Sequence, residues 1–399
     1  MSDQALAEIV RDEAGRIVAS LARSFGSLDI AEEAVSSAIE EAVRAWRVNG
    51  LPPRPGAWLA TAARNDALDR VRREHRYRDK LAELLAEPSP VEDAGPDERI
   101  PLLFGCCHPA LALEAQLALS LRAVVGLTTR QIARATLESE ATVAQRISRA
   151  KRKIVASGIP LRIPESAEMP DRLDIVLTMV SVMYDAAHLR ADQDAGADRD
   201  LADDALWLTH VITHALPQEA EAAGLRSLLL FHRARERARA VDGELVPLPE
   251  QDRTRWDRAL MERARADLER AAAMRRPGRW QLQAAIAACH ADAPTPADTD
   301  WRQILLLYDL LGAFDGSPLV RLNRAVALGE VAGPAVALAE LNGLAPRLAE
   351  YHLWHAVRAD MLRRVGRLEE AAEADSAALA RTTNDAERRL LIRRLATGG

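Results

Sequence analysis

The 399-residue chain holds three cysteines, arranged as Cys106-Cys107-His108 and Cys289-His290. Thiolate and imidazole together are the ligand set of zinc sites and the working groups of thiol chemistry. The spacing argues against both uses. Zinc-binding cysteine pairs are separated by two to four residues, whereas Cys106 and Cys107 are adjacent, and no acidic or histidine pair at i, i+4 stands near them. An odd, small cysteine count also argues against a disulfide framework and suits a reducing compartment. Pro109 fits the first turn of a helix running through ALALEAQLALSLRAVV (110–125). Cys106 and Cys107 are therefore expected at the start of that helix, as small, partly buried apolar residues. No metal, cofactor or catalytic residue is assigned.

The second chemistry is cationic. Residues 64–78 (RNDALDRVRREHRYR) and 146–153 (RISRAKRK) are strongly basic, while 83–98 is acidic and carries prolines, in a chain of net charge −6. Local basic stripes on an acidic protein point to focused contact with nucleic acid rather than nonspecific coating. Around the second stripe, Thr128 and Gln131 form a T-x-x-Q capping box ahead of a short helix, TRQIARAT. After the turn LES, Ser139 caps a second helix from Glu140 to about Val155. Val143, Ile147, Ala150 and Ile154 share one face of it, while Thr142, Gln145, Arg146, Arg149, Arg152 and Lys153 lie on the other. This is a helix-turn-helix pattern. Arginine can pair with guanine bidentately and glutamine with adenine, and threonine and lysine suit phosphates.

The elements that position these groups are helical. Ala and Leu dominate the apolar residues, aromatics are 4%, and no stretch alternates as a strand would, so the expected class is all-α. No apolar run approaches the roughly 20 residues of a membrane span, and MSDQALAEIVRDE lacks a signal peptide's order, so a cytoplasmic protein is expected. Turn formers and prolines set two breaks, giving units 1–85 and 99–156 joined by an acidic linker 86–98, then a linker 157–170 and a helical unit 171–399. In the first unit, Asp29 is a plausible N-cap of a helix with Val35, Ile39, Val43 and Trp46 as its buried stripe. Glu32, Glu33, Ser36 and Glu40 fall on its other faces. A second helix, about Ala57 to Arg78, packs through Trp58, Leu59, Ala62, Leu68 and Val71. It turns Arg64, Asn65, Asp69, Arg72, Arg73 and Arg76 outward.

In this order the units resemble an RNA polymerase sigma factor of the extracytoplasmic-function (ECF) group. DIAEEAVSSAIEEAVRAWR (29–47) is similar to the region 2.2 helix, which docks on the β′ clamp coiled coil of core polymerase. The resemblance thus implies polymerase contact through Asp29, Glu32, Glu33, Ser36 and Glu40. AWLATAARNDALDRVRR (57–73) resembles regions 2.3 and 2.4, implying that Asn65 meets an unstacked base of the −10 element. Asp69 lies one helical turn on, and Arg64, Arg72 and Arg73 would grip the backbone. LTTRQIARATLESEATVAQRISRAKRKI (127–154) resembles region 4.2, the −35 reader, whose domain also meets the β flap. Thr142, Gln145, Arg146 and Arg149 would enter the groove, with Arg152 and Lys153 on phosphates.

Beyond the usual end of the family, GELVPLPEQDRTRWDRAL (243–260), RWQLQAAIAACHADAPTPADTDW (279–301) and SPLVRLNRAVALGEVAGPAVALAEL (317–341) resemble an ECF subgroup with a large tetratricopeptide (TPR)-like extension. An offset of 34 residues pairs Ala325 with Ala359, Leu328 with Leu362, Val331 with Val365 and Ala337 with Ala371, the TPR period. Three departures stand out. Ser36-Ser37 occupy positions where the family has Gln and an acid. SVMYDAAH (181–188) replaces an Asn-Glu-Gly-Tyr-like stretch, and Asp375 sits where an aromatic is usual. The resemblance implies no enzyme activity, no cofactor, and core polymerase and promoter DNA as partners. The extension is expected to govern activity through an intramolecular or protein contact. A one-component helix-turn-helix regulator with a sensing C-terminal domain is the alternative, and it leaves the first unit unexplained.

Overall fold

The computed structural model describes residues 3–75, 97, 99–136, 138–188, 201–241 and 244–397. Of the acidic linker only Asp97 is among them, and Arg76 lies outside. The described residues form nineteen α-helices, three short 3-10 turns and one two-stranded hairpin. They divide into two compact units, Met1–Met183 and Tyr184–Gly399.

The first unit opens with α1 (Asp3–Phe25), α2 (Leu28–Asn49) and α3 (Pro55–His75), which pack on one another. Ser27, not Asp29, caps α2: its Oγ accepts from the Ile30 N–H at 3.3 Å, and Asp29 stands in the first turn. Gly50 ends the helix at φ +78°, a conformation glycine reaches without cost. The buried line of α2 is richer in alanine than the expected stripe. Ala31, Ala34, Val35, Ala38, Ala42 and Trp46 are buried, while Ile39 and Val43 are only half-buried. Alanine lets the neighbouring helices approach closely, which a reading based on large apolar residues overlooks. Across the α2–α3 connection Trp46 meets Trp58 edge-on, with ring centroids 5.5 Å apart.

The unit continues with α4 (Arg99–Cys106), α5 (Leu113–Ala123), α6 (Thr129–Thr136), α7 (Glu140–Ala156) and the first part of α8 (Met169–His188). α1 crosses the end of α5 at Gly15, where a Cβ would stand 2.4 Å from the Val124 carbonyl oxygen. The chain after α7 folds back on α4. Leu161 covers Gly105, and the Arg172 guanidinium donates to the Phe104 carbonyl at 2.6 Å.

The second unit holds α9 (Leu201–Ala215), α10 (Ala220–Ala234), α11 (Glu236–Arg239), the pair β1 (Ala240–Val241) and β2 (Glu244–Leu245), α12 (Arg258–Ala273), α13 (Arg279–Asp292) and α14 (Trp301–Phe314). The strand pair is a small exception to the all-helical expectation. Then follow α15 (Pro318–Ala332), α16 (Pro334–Leu348), α17 (His352–Arg364), α18 (Leu368–Arg381) and α19 (Asp385–Thr397). α15 and α17 start 34 residues apart, and so do α16 and α18. These two TPR-like helical hairpins share one core of Leu322, Ala325, Ala337, Leu341, Ala359, Leu362 and Ala371. Asp375 is fully buried there and is held by Arg363 at 2.5 Å. Burial pushes its carboxyl up from the ordinary range, against the pull of that guanidinium.

Candidate nucleic-acid interface

The helix-turn-helix forms as its caps dictate. Thr128 and Gln131 bond reciprocally, Thr128 N–H to Oε1 at 2.9 Å and Gln131 N–H to Oγ1 at 3.2 Å. Ser139 Oγ accepts from the Thr142 N–H at 3.1 Å and starts α7. Val143, Ile147, Ala150 and Ile154 are all buried, against α5 and α6. Burying each of the three larger side chains stabilises by about 1.5–3 kcal/mol. An exposed ion pair such as Arg130–Glu140 contributes at most about 1 kcal/mol. The apolar stripe therefore fixes α7 and leaves its polar faces available for binding.

Thr142, Gln145, Arg149, Arg152 and Lys153 are exposed on α7. At 100° per residue Thr142, Arg146, Arg149 and Lys153 form one edge, with Gln145 and Arg152 beside it. Four of these side chains already have partners, Arg152 through its Nε to the Ser148 carbonyl at 3.4 Å. Arg146 is half-buried and grips Glu138 with both arms, one at 2.6 Å, which holds the Glu138 carboxyl below its usual range. The Lys153 ammonium donates to the Ala110 carbonyl, and Thr142 Oγ1 lies 2.8 Å from Ser139 Oγ. Gln145 and Arg149 thus stand at the centre of the exposed surface, with Arg146 oriented behind them.

On α3, Asn65, Asp69 and Arg72 follow one stripe and are exposed, with Arg72 3.6 Å from Asp69. Arg64 is half-buried, and Arg73 lies on α3 with its side chain outside the description. Arg70, which the sequence did not single out, bridges back to α2. Its guanidinium pairs with Asp66 at 2.5 Å and with Glu33, and donates to Ser37 Oγ at 3.1 Å.

The α2 set divides. Asp29, Glu33, Ser36 and Glu40 are exposed, but Glu32 is 7% exposed, against the expectation of an outer-face residue. Its Oε2 accepts from Arg122 Nε at 3.1 Å and from Lys151 Nζ at 3.1 Å, and Lys151 also reaches Asp29 at 2.7 Å. Both cations lie about 90 residues or more further along the chain, and no local pattern announces them.

The cysteines are placed differently from the expectation. Cys106 ends α4, Cys107 and Pro109 fall in the turn after it, and α5 begins only at Leu113, so the thiols close one helix rather than open the next. Both are fully buried, with Cys107 Sγ 3.5 Å from Ser120 Oγ, and burial pushes its thiol up to about 12 and that of Cys106 well above 9. Cys289 is half-buried and pushed up to about 11, mainly by burial, while burial and the nearby Arg235 and Arg253 lower His290 to about 4. Thiolate is the reactive form. Titration of the native protein with a disulfide reagent at pH 8 is expected to leave Cys106 and Cys107 untouched over minutes, and denaturant to release all three thiols. Rapid native reaction of two or more would contradict the burial. Among the described residues no three His, Cys, Asp or Glu side chains are grouped to hold a metal ion, and no helix is long and apolar enough to cross a membrane.

Sequence profiles place the geometry in a class. Sigma-70 region 2 matches residues 9–77, Sigma-70, region 4 matches residues 102–154, and a family of unknown function (DUF6596) matches residues 172–272. A helical bundle bearing region 2 and a helix-turn-helix bearing region 4 define a non-enzymatic transcription initiation factor that works with core RNA polymerase on promoter DNA. The chain belongs to the sigma-70 family, as an ECF-like sigma factor with a C-terminal helical extension. An uncharacterized protein of Rhizobium meliloti (strain 1021) is 41% identical over 379 residues, covering 92% of this chain and 90% of the relative. No solved structure matches.

Proposed function

We propose that the chain directs promoter-specific initiation by reading a −35 element with α7 and a −10 element with α3, and that it meets the β′ clamp coiled coil through α2 and the β flap through α4–α7. The observation that carries this is the exposed, cap-anchored face of α7, where Gln145 and Arg149 stand free of the apolar core beside Arg146, Arg152 and Lys153. A helix of this kind fits the major groove, with arginine and glutamine as base-reading groups. On α3, Asn65 offers an amide to an unstacked base. Unstacking costs a few kcal/mol, which contacts from Arg64, Arg72 and Arg73 to the backbone offset. The chain supplies recognition and the polymerase supplies the chemistry, which places it in the cytoplasm.

The reading predicts tight binding of promoter duplex only when core polymerase is present. Equally tight operator binding without core would favour a one-component regulator instead. The extension, in this reading, governs activity through protein contact, the usual use of stacked helical hairpins. Because α8 is anchored on α4 through Arg172, the informative truncation keeps α8 and ends after His188. It is expected to change promoter-directed transcription severalfold in cells and with purified core. Unchanged output in both settings would remove the regulatory role.

A further inference from the structure

The α2 surface assigned above to polymerase is solvent-exposed but faces α7 in the free chain. It forms one wall of a groove of about 590 Å³ whose other wall is α7. Asp29, Glu33, Ser36, Ser37 and Glu40 line the first wall, and Ala144, Ser148 and Lys151 the second. The latter three lie on the side of α7 turned away from Thr142 and Arg149, at 100° per residue. Glu32 is the charged point of attachment between α2 and α7, beside the packing of α1 on α4 and α5. Its buried carboxylate takes Arg122 Nε and Lys151 Nζ, each at 3.1 Å, and Lys151 extends the bridge to Asp29 at 2.7 Å. The Lys151 side chain is itself only 13% exposed.

We infer that Lys151 and Arg122 form a latch that holds the helix-turn-helix over the polymerase-facing side of α2, so that free chain is self-masked and core polymerase must displace α7 before it can dock. This rests on the assignment of α2 as the docking face. The physical reasoning is direct. A buried carboxylate between two cations is strongly held while the partners are present, whereas polymerase competes for the same carboxylates. The apparent affinity for core is the intrinsic affinity multiplied by the fraction of chain that is unlatched. The latch leaves the DNA-reading edge of α7 in solvent, so it regulates polymerase docking and not base readout. It also gives Lys151 a task that its place in a basic helix would otherwise assign to phosphate.

Two variants of the full chain test this. Lys151→Glu sets like charges against Glu32 and Asp29, and is expected to bind core about tenfold more tightly than the native chain. A Ser37→Cys/Ser148→Cys chain, with Cys289→Ser, carries one thiol on each wall, and a short bis-methanethiosulfonate should bridge them in the free state. The bridged chain should lose core binding and run-off transcription, and a reducing agent should restore both. Adding Lys151→Glu should lower the bridging yield severalfold without any polymerase present. The latch is overturned if bridging yield ignores Lys151→Glu, or if the bridged chain binds core as well as the reduced one. If the native chain binds no core and gives no run-off product, the sigma assignment itself fails, and the masking claim falls with it. That outcome is distinguished from the others by the native chain alone.

Discussion

Replacing Arg149 with alanine should lower transcription from the chain's own promoters by roughly 5- to 150-fold, the equivalent of about 1–3 kcal/mol for one lost bidentate base contact. The loss should fall on particular base pairs: a −35 element altered at the contacted position should be used by the variant about as well as the native one. Arg149 is suited to this test because it is exposed, lies on the reading edge of α7 and makes no part of the apolar stripe. Removing it should leave the fold intact. Gln145→Ala should act alike at a neighbouring position. Arg152→Ala should instead weaken all sequences evenly and flatten the salt dependence by about one phosphate contact. A set of promoters that all lose activity equally with Arg149→Ala would mean that this residue grips backbone and does not read bases.

Phe104→Ala should destabilise the first unit by about 3–5 kcal/mol, a large share of the 5–15 kcal/mol typical of a domain. Phe104 is 1% exposed near the end of α4, between Leu102, Leu103 and the two buried cysteines in sequence. Its carbonyl anchors Arg172, so the void left by the ring lies next to the point where α8 is fastened. Urea titration followed by hydrogen exchange should show amides of α4 to α7 losing protection first. Those of α15 to α18, which belong to a separate core, should change little. A shift in urea midpoint below a quarter of the native value would imply that the site collapses around the smaller residue.

Much of this architecture is legible in the chain. The Thr128–Gln131 box and the Ser139 cap work locally, within three residues, and the structure carries both as the sequence implies. The 34-residue offset of Ala325 and Ala359 reappears as paired helix starts, because each repeat must bury its face on its neighbour. What local patterns miss is set by distant partners. Glu32 reads as a surface glutamate in EEAVSSAIEE, and only Arg122 and Lys151 explain its burial. Arg146 and Lys153 count as free cations on a helical wheel, yet Glu138 and the Ala110 carbonyl take them up in the fold. Cys106 and Cys107 stand one helix earlier than the sequence pattern implies because Pro109, which suits a first turn, here sits in the turn between α4 and α5.

Run-off transcription by purified core polymerase with and without the full chain tests the central claim most directly. Templates should carry a candidate promoter found by selecting, genome-wide, the fragments that the two components transcribe together. The account predicts a discrete product that needs both components, disappears when either the −35 or the −10 element is scrambled, and falls sharply with Arg149→Ala. Core polymerase giving the same products with and without the chain, while the chain alone retains specific DNA fragments tightly, would contradict it.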